Sequence, residues 1–204
     1  MRAGQDSESG KWAAAQALEM ECDFDVAPQN PADLQKIAER RISDIDHDAH
    51  NADFAQGTTL KALGTEAEVQ IWVGNELRNR RHRGYSTERE SEVVGNNRPD
   101  IRLRSGDISL PIEIKVAESW TLPELEAALT AQLEGRYLLH QDARHGVLLI
   151  VHQHARSRGW QDTKGAWLTF PQVIARLRAL AVERAGVSHD AAKAVIGVID
   201  VSDL

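Results

Sequence analysis

The stretch that decides the fold is PDIRLRSGDISLPIEIKV, residues 99–116. Ser105-Gly106-Asp107 is a tight-turn tripeptide, and it divides the stretch into two runs whose side chains alternate between apolar and charged. In the first run Ile101 and Leu103 share one face, while Asp100, Arg102 and Arg104 share the other. In the second, Ile112, Ile114 and Val116 share a face, opposed by Glu113 and Lys115. The reading is a β-hairpin with one face in a core. If both apolar faces enter that core, Asp100, Glu113 and Lys115 gather on the other side. Which of them stand directly across from one another depends on register, because a slip of one residue reverses every side chain.

The flanking sequence sets the hairpin in a larger pattern. TEAEVQIWVGNELRNRRHRG (65–84) predicts an amphipathic helix, capped by Thr65, stopped by Gly84, with Val69, Trp72, Val73 and Leu77 on one face. A strand is expected over Tyr85–Val94, then a turn at 95–97 and the hairpin strands Pro99–Arg104 and Leu110–Val116. Leu122–Leu139 reads as a helix that tolerates Pro123 in its first turn. GVLLIVHQ (146–153) is near-continuously apolar, as a buried central strand requires. Pro171 opens a further helix through Arg184, and AVIGVIDV (194–201) is a second buried strand. The order αβββαβαβ describes an α/β fold, a mixed β-sheet flanked by helices.

The N-terminal part differs. Residues 1 to about 30 are rich in Ala, Gly, Ser and Asp and read as a flexible lead. A helix is expected from Asp33, its N-cap, with Leu34, Ile37, Ile42 and Ile45 inward, followed by the polar run DIDHDAHNADFAQGTT (44–59). The expected division is therefore an acidic N-terminal extension, 1–59, partly flexible with one helix, and a compact domain, 60–204. Of the net charge of −7, all resides in residues 1–60, with 12 acidic and 5 basic side chains, against 19 of each in the remainder. Such a segment repels phosphate, which argues against a dedicated high-affinity nucleic-acid binder but not against an enzyme that meets nucleic acid through one patch. The longest apolar run, VLLIV (147–151), is too short to cross a bilayer, so no membrane is expected. The N-terminus lacks a signal-like apolar segment, and the single cysteine, Cys22, cannot form an internal disulfide; a cytoplasmic location is expected.

Two carboxylates converging from adjacent strands suit a hard divalent cation: magnesium takes oxygen ligands, commonly one or two carboxylates plus substrate phosphate oxygens. An ammonium beside them can polarise a water or stabilise charge developing at phosphorus. The chemistry this fits is hydrolysis of a phosphodiester.

The same residues carry a resemblance. Pro99, Asp100, Glu113 and Lys115 match the pattern P-D-x12-E-x-K, which resembles the PD-(D/E)xK motif of the restriction-endonuclease-like nuclease superfamily. The resemblance spans roughly residues 60–204 and implies that fold, a Mg2+ cofactor with Mn2+ as substitute, and endonuclease activity on DNA first, with RNA not separated by the motif. By resemblance Asp100, Glu113 and the backbone carbonyl of Ile114 hold the metal and Lys115 assists the attacking water. A glutamate on the helix before the hairpin supports the metal: Glu66 is the first choice in EAEVQIWV, Glu68 the alternate, and Glu76 is also near the apolar face. AQLEGRYL (131–138) is similar to the Gln-x-x-x-Tyr element of RecB-like nucleases, except that Tyr137 follows Gln132 by five residues rather than four. Gln132 is a candidate to orient Lys115 or substrate. The region also looks like nuclease-like modules appended to bacterial NTPase defence proteins, which implies an antiviral context, a larger assembly or a second copy of the chain as partners, and, as the alternative to catalysis, a sensor or protein-interaction module.

Other patterns carry less. Arg78, Arg80, Arg81 and Arg83 in RNRRHRG form the one concentrated basic run, readable as phosphate contacts or as a solvated helix end. His152 and His154, and the histidines of DIDHDAH, are expected to be ordinary polar residues rather than ligands. Trp72, Trp160 and Trp167 are expected to pack in the core or a cleft.

Overall fold

The structure, a computed structural model, describes residues 27–51, 56–82, 84–89, 99–138, 144–186 and 191–204. Its centre is a five-stranded mixed sheet, ordered β1-β2-β3-β4-β7, made of β1 (Ser86–Arg89), β2 (Ile101–Ser105), β3 (Ile108–Val116), β4 (His145–His152) and β7 (Lys193–Asp200). β2 runs antiparallel to both of its neighbours, β1 and β3, and β3, β4 and β7 are parallel. Ser105 pairs with Ile108, which leaves Gly106 and Asp107 as a two-residue loop. Gly106 has φ +58°, the left-handed value a type II′ hairpin demands at its first central position. The expected strand Tyr85–Val94 is observed as β1; residues 90–94, and the turn at 95–97, lie outside the described residues.

Helices cover both faces. On one lie α1 (Pro31–Asn51), α2 (Gln56–Lys61) and α3 (Glu66–Asn79); on the other lie α4 (Leu122–Ala127), a π-helix continuing it (Ala128–Tyr137) and α5 (Phe170–Ala185). The alternation along β4 shows why two cores form: Val147, Leu149 and Val151 enter the first, Leu148 and Ile150 the second. A short hairpin, β5 (Trp160–Gln161) with β6 (Trp167–Leu168), joins β4 to α5 and was not foreseen from the sequence.

The largest departure from expectation is α1. Its buried Leu34, Ala38, Ile42, Ile45 and Ala49 pack into the first core beside β3, β4 and β7, so the packed unit includes Pro31–Asn51 and does not begin near residue 60. Gly197 leaves the space for it: a Cβ there would sit 3.1 Å from Ile42 Cδ1. The helix is capped by Asn30, whose Oδ1 accepts from Asp33 N, while Asp33 returns the contact to Asn30 Nδ2; Pro31 takes the first turn. Helix α1 also runs through DIDHDAH, whose carboxylates brace neighbouring elements: Asp46 Oδ1 accepts from Asp200 N, and Asp48 pairs with Arg80. Helix α3 ends at Asn79, short of Gly84, with Arg80 as its C-cap. No helix among the described residues is long and apolar enough to cross a membrane.

Candidate active site at the open edge of β3

The register supplies what the alternation alone left open. Ile101 pairs with Ile112, so one further step of the same ladder sets Asp100 across from Glu113, on one face. There β2 ends, while β3 continues to Val116 beside β4 only. The abandoned edge of β3 is satisfied by two side chains. Ile114 N donates to Asp100 Oδ2 at 2.7 Å, and Val116 N donates to Glu66 Oε2 at 3.2 Å. Because the N–H and C=O of one strand residue project to the same edge, the Ile114 carbonyl leaves β3 on this side too.

Lys115 ties the cluster together. Its Nζ lies 2.9 Å from Glu113 Oε1, 3.4 Å from Glu66 Oε1 and 4.6 Å above the Trp120 ring. The Lys115 and Glu113 side chains are only 6% and 7% exposed, so this pair is desolvated, whereas Glu66 is 25% exposed and opens to solvent. Trp120 closes the ring of contacts by donating its indole N–H to Glu66 Oε2 at 2.8 Å.

The structure also separates the three helix glutamates. Glu66 opens α3, and the burial of Val69, Val73 and Leu77 turns that first residue toward the β3 edge. Glu68 is spent in a capping box: its Oε2 accepts from Gly64 N, Thr65 N and Thr65 Oγ1. Glu76 pairs with Arg80 one turn on. Glu66 alone of the three reaches Lys115 and the edge of β3.

Charge is crowded here. Burial, then the neighbouring Glu113 charge, pushes the Asp100 carboxyl from its usual 3.8 to about 7, against the opposing pull of the Ile114 amide and Lys115. Glu113 is raised by burial too, offset in part by Lys115. For Lys115, burial favours the neutral amine, but Glu113 and then Glu66 more than offset it, so the net shift is upward and the group is an ammonium at neutral pH. One oxygen, Glu113 Oε2, is buried with no hydrogen-bond partner. Leaving such an acceptor unsatisfied costs about 1–3 kcal/mol.

These features bear on a metal. Among the described residues no group of three or more His, Cys, Asp or Glu stands ready as a complete cage. A Mg2+ site needs less, since that ion keeps waters and takes one or two carboxylates. Asp100 and Glu113, facing one another with an orphaned oxygen and a destabilised charge, fit that requirement, with the Ile114 carbonyl on the same edge. Glu66, tied to Lys115, Val116 and Trp120, holds the lysine side of the cluster.

Gln132 and Tyr137 both lie in the π-helix Ala128–Tyr137. In i→i+5 winding a residue five along returns near the same face, as one four along does in an α-helix. The π-helix packs against β3, and Tyr137 lies close enough to the carboxylates that burial and then the Glu113 and Asp100 charges raise its phenol to about 12. It is a hydrogen-bond donor at any working pH. Gln132 has a buried Oε1 without a hydrogen-bond partner.

The basic run is divided. Arg80 is part-buried, paired with Asp48 and Glu76, and braces α1 to α3. Arg78 bonds Asn75 on the exposed helix surface at 2.9 Å, Arg81 is exposed, and Arg83 lies outside the described residues. Of the tryptophans, Trp160 is buried as expected, whereas Trp167 is 52% exposed. The site residue that the sequence did not single out is Trp120, which follows Lys115 through a 3-10 turn, Ala117–Ser119, and so obeys no helix or strand period. Comparisons with protein-family models, with curated proteins and with solved structures give no match for this chain.

Proposed function

We propose that this chain is a Mg2+-dependent hydrolase of nucleic-acid phosphodiesters, with DNA the first substrate to test, on a fold of the restriction-endonuclease-like type. The observation that carries the reading is the gathering of three groups at one strand edge: Asp100 Oδ2 accepts from Ile114 N at 2.7 Å, the Glu113 charge acts on Asp100, and the Lys115 ammonium lies 2.9 Å from Glu113. Asp100, Glu113 and the Ile114 carbonyl would hold the ion. Bound there, Mg2+ supplies the positive charge that lets an anionic substrate approach two carboxylates, and lowers the cost of forming hydroxide from water.

The protein's own groups divide the remaining work. The Asp100 and Glu113 carboxylates orient water by accepting its hydrogen bonds. Lys115, charged and fixed by Glu66 and Trp120, stabilises negative charge developing on the phosphoryl oxygens. Tyr137, close enough to feel both carboxylate charges, offers a phenol, and Gln132 on the same π-helix is a candidate to orient substrate. Water gives up a proton to solvent and adds its oxygen to phosphorus, the P–O bond to the departing sugar breaks, and that oxygen leaves with a proton from solvent. A role in antiviral defence, alone or within a larger assembly, belongs to this reading through the resemblance of the module.

A second reading is a nuclease-like module that binds but does not cut. It is favoured by the closed pairing of Lys115 with both Glu113 and Glu66, which satisfies the lysine without any ligand. One assay decides between them: purified chain with plasmid DNA and with single-stranded RNA, in Mg2+ or EDTA, beside Asp100→Ala and Lys115→Ala. Hydrolase activity predicts Mg2+-dependent cleavage that each substitution lowers at least about a hundredfold. Folded wild type that leaves every substrate intact, or variants that cut at full rate, would reject it.

A further inference from the structure

A second built cavity stands at the carboxyl end of β4, next to the turn that follows β3. After His152 the chain runs through Arg156 and Arg158 into the β5–β6 hairpin and α5, and these elements enclose a pocket of about 320 Å3. That volume lies at the small end of ordinary ligand sites, roughly 300–1,000 Å3. Gly159, at φ +69°, lets the hairpin close: a Cβ there would meet the Leu168 carbonyl oxygen at 2.1 Å.

The floor is aromatic. Trp160, Phe170 and His152 are all buried and in mutual contact, with His152 stacked on Phe170 at 4.1 Å and set edge-on to Trp160 at 5.6 Å. The rim is cationic, with Arg156 and Arg158 exposed beside the half-exposed indole of Trp167. No carboxylate lines the pocket, although the chain carries a net charge of −7. Arg156 is held in place 5.0 Å over the Trp160 ring and donates to the Trp120 carbonyl at 3.3 Å. His152, 4% exposed, has Nδ1 2.9 Å from Asp200 Oδ1, while its buried Nε2 has no hydrogen-bond partner and lies 3.7 Å from Glu118 Oε1. The first turn of the 16-residue α5 reaches the pocket at Thr169 and Phe170, adding the positive end of a helix dipole.

A flat aromatic surface beside two guanidinium groups selects a ligand that is both planar and anionic. We propose that this pocket binds a nucleoside monophosphate unit, its base against the exposed Trp167 indole and its phosphate on Arg158 and Arg156. Stacking on an aromatic face is tolerant of base identity, and arginine recognises phosphate through paired N–H donors. The unit arrives as a free mononucleotide or as one nucleotide of a single strand. This inference does not depend on hydrolysis at Asp100 and Glu113.

Isothermal titration of the full chain with adenosine 5′-monophosphate, with an eight-nucleotide single-stranded DNA of adenines and with inorganic phosphate tests it. Binding of the mononucleotide is expected to weaken about tenfold or more in Trp167→Ala and in Arg158→Ala. It should recover in Trp167→Phe and stay unchanged in Asp100→Ala. Binding of the oligonucleotide but not the mononucleotide, with the same losses, makes a strand the source. Failure of both probes to bind, full-strength binding in either weakened variant, or phosphate binding as tightly as the mononucleotide overturns the proposal. Loss of cleavage alone, with mononucleotide binding intact, counts against the hydrolase reading and leaves the pocket standing.

Discussion

Asp100 faces Glu113 in a space where neither carboxylate is well solvated, and its behaviour with pH follows from that. Its folded-state value, about 7, exceeds the usual 3.8, so between those limits the folded protein holds a proton that the unfolded chain has lost. Stability from this group is therefore complete below about pH 3.8 and drains away as pH rises through 7. Asp100→Asn keeps an acceptor for the Ile114 amide and removes the titration. Chemical denaturation of the metal-free protein from pH 5 to 8 should show a smaller loss for Asp100→Asn than for wild type; equal slopes would mean that Asp100 ionises normally. Glu66→Gln tests a different role at this scale. It removes charge from beside Lys115 while leaving acceptors for Val116 and Trp120, so the fold should persist and cleavage should fall by about tenfold or more. Cleavage rates unaltered by Glu66→Gln would make the glutamate a strand cap only. The residue types at 100, 113 and 115 were legible from alternation. Glu66 was favoured by helical spacing; the structure shows that it reaches Lys115, whereas Glu68 closes a capping box and Glu76 pairs with Arg80.

At the scale of elements, the hairpin turn is the device that sets the pairing of Asp100 with Glu113. Gly106 occupies a left-handed conformation that costs other residues about 1–2 kcal/mol, so Gly106→Ala should lower stability by that amount in denaturant titration. An unchanged midpoint would show that the turn relaxes without penalty. The strands were readable because alternation with period two survives in a half-buried hairpin, and the buried parallel strands because they are continuously apolar. The π-helix was not readable. Its residues carry ordinary helix-forming side chains, and nothing in their spacing tells i→i+5 winding from an α-helix. The β5–β6 hairpin escaped notice for a related reason: two-residue strands carry no periodicity.

For the molecule as a whole, the first core is completed by the helix that charge and composition assigned to an extension. The apolar stripe through Ile42 and Ile45 was legible, but acidic side chains at positions 44, 46 and 48 gave the segment the charge of an extension. Ile45 is fully buried, so Ile45→Ala should cost about 2–5 kcal/mol and lower the unfolding midpoint of the entire chain in one transition. A change within about 0.5 kcal/mol, the usual effect of a surface substitution, would mean that α1 does not belong to the cooperative unit. With α1 in place, the sheet is covered on both faces, and β3, stranded beyond the end of β2, is left with one edge bounded by Asp100 and Glu66. The proposed hydrolysis depends on that edge accepting a divalent ion. Calorimetric titration of Mn2+ into wild type and Glu113→Gln tests this most directly. It should give one ion per chain for wild type and binding weakened at least tenfold in the variant, in which one buried carboxylate charge is gone. No heat of binding in folded wild type, or equal affinity in the two proteins, would contradict it.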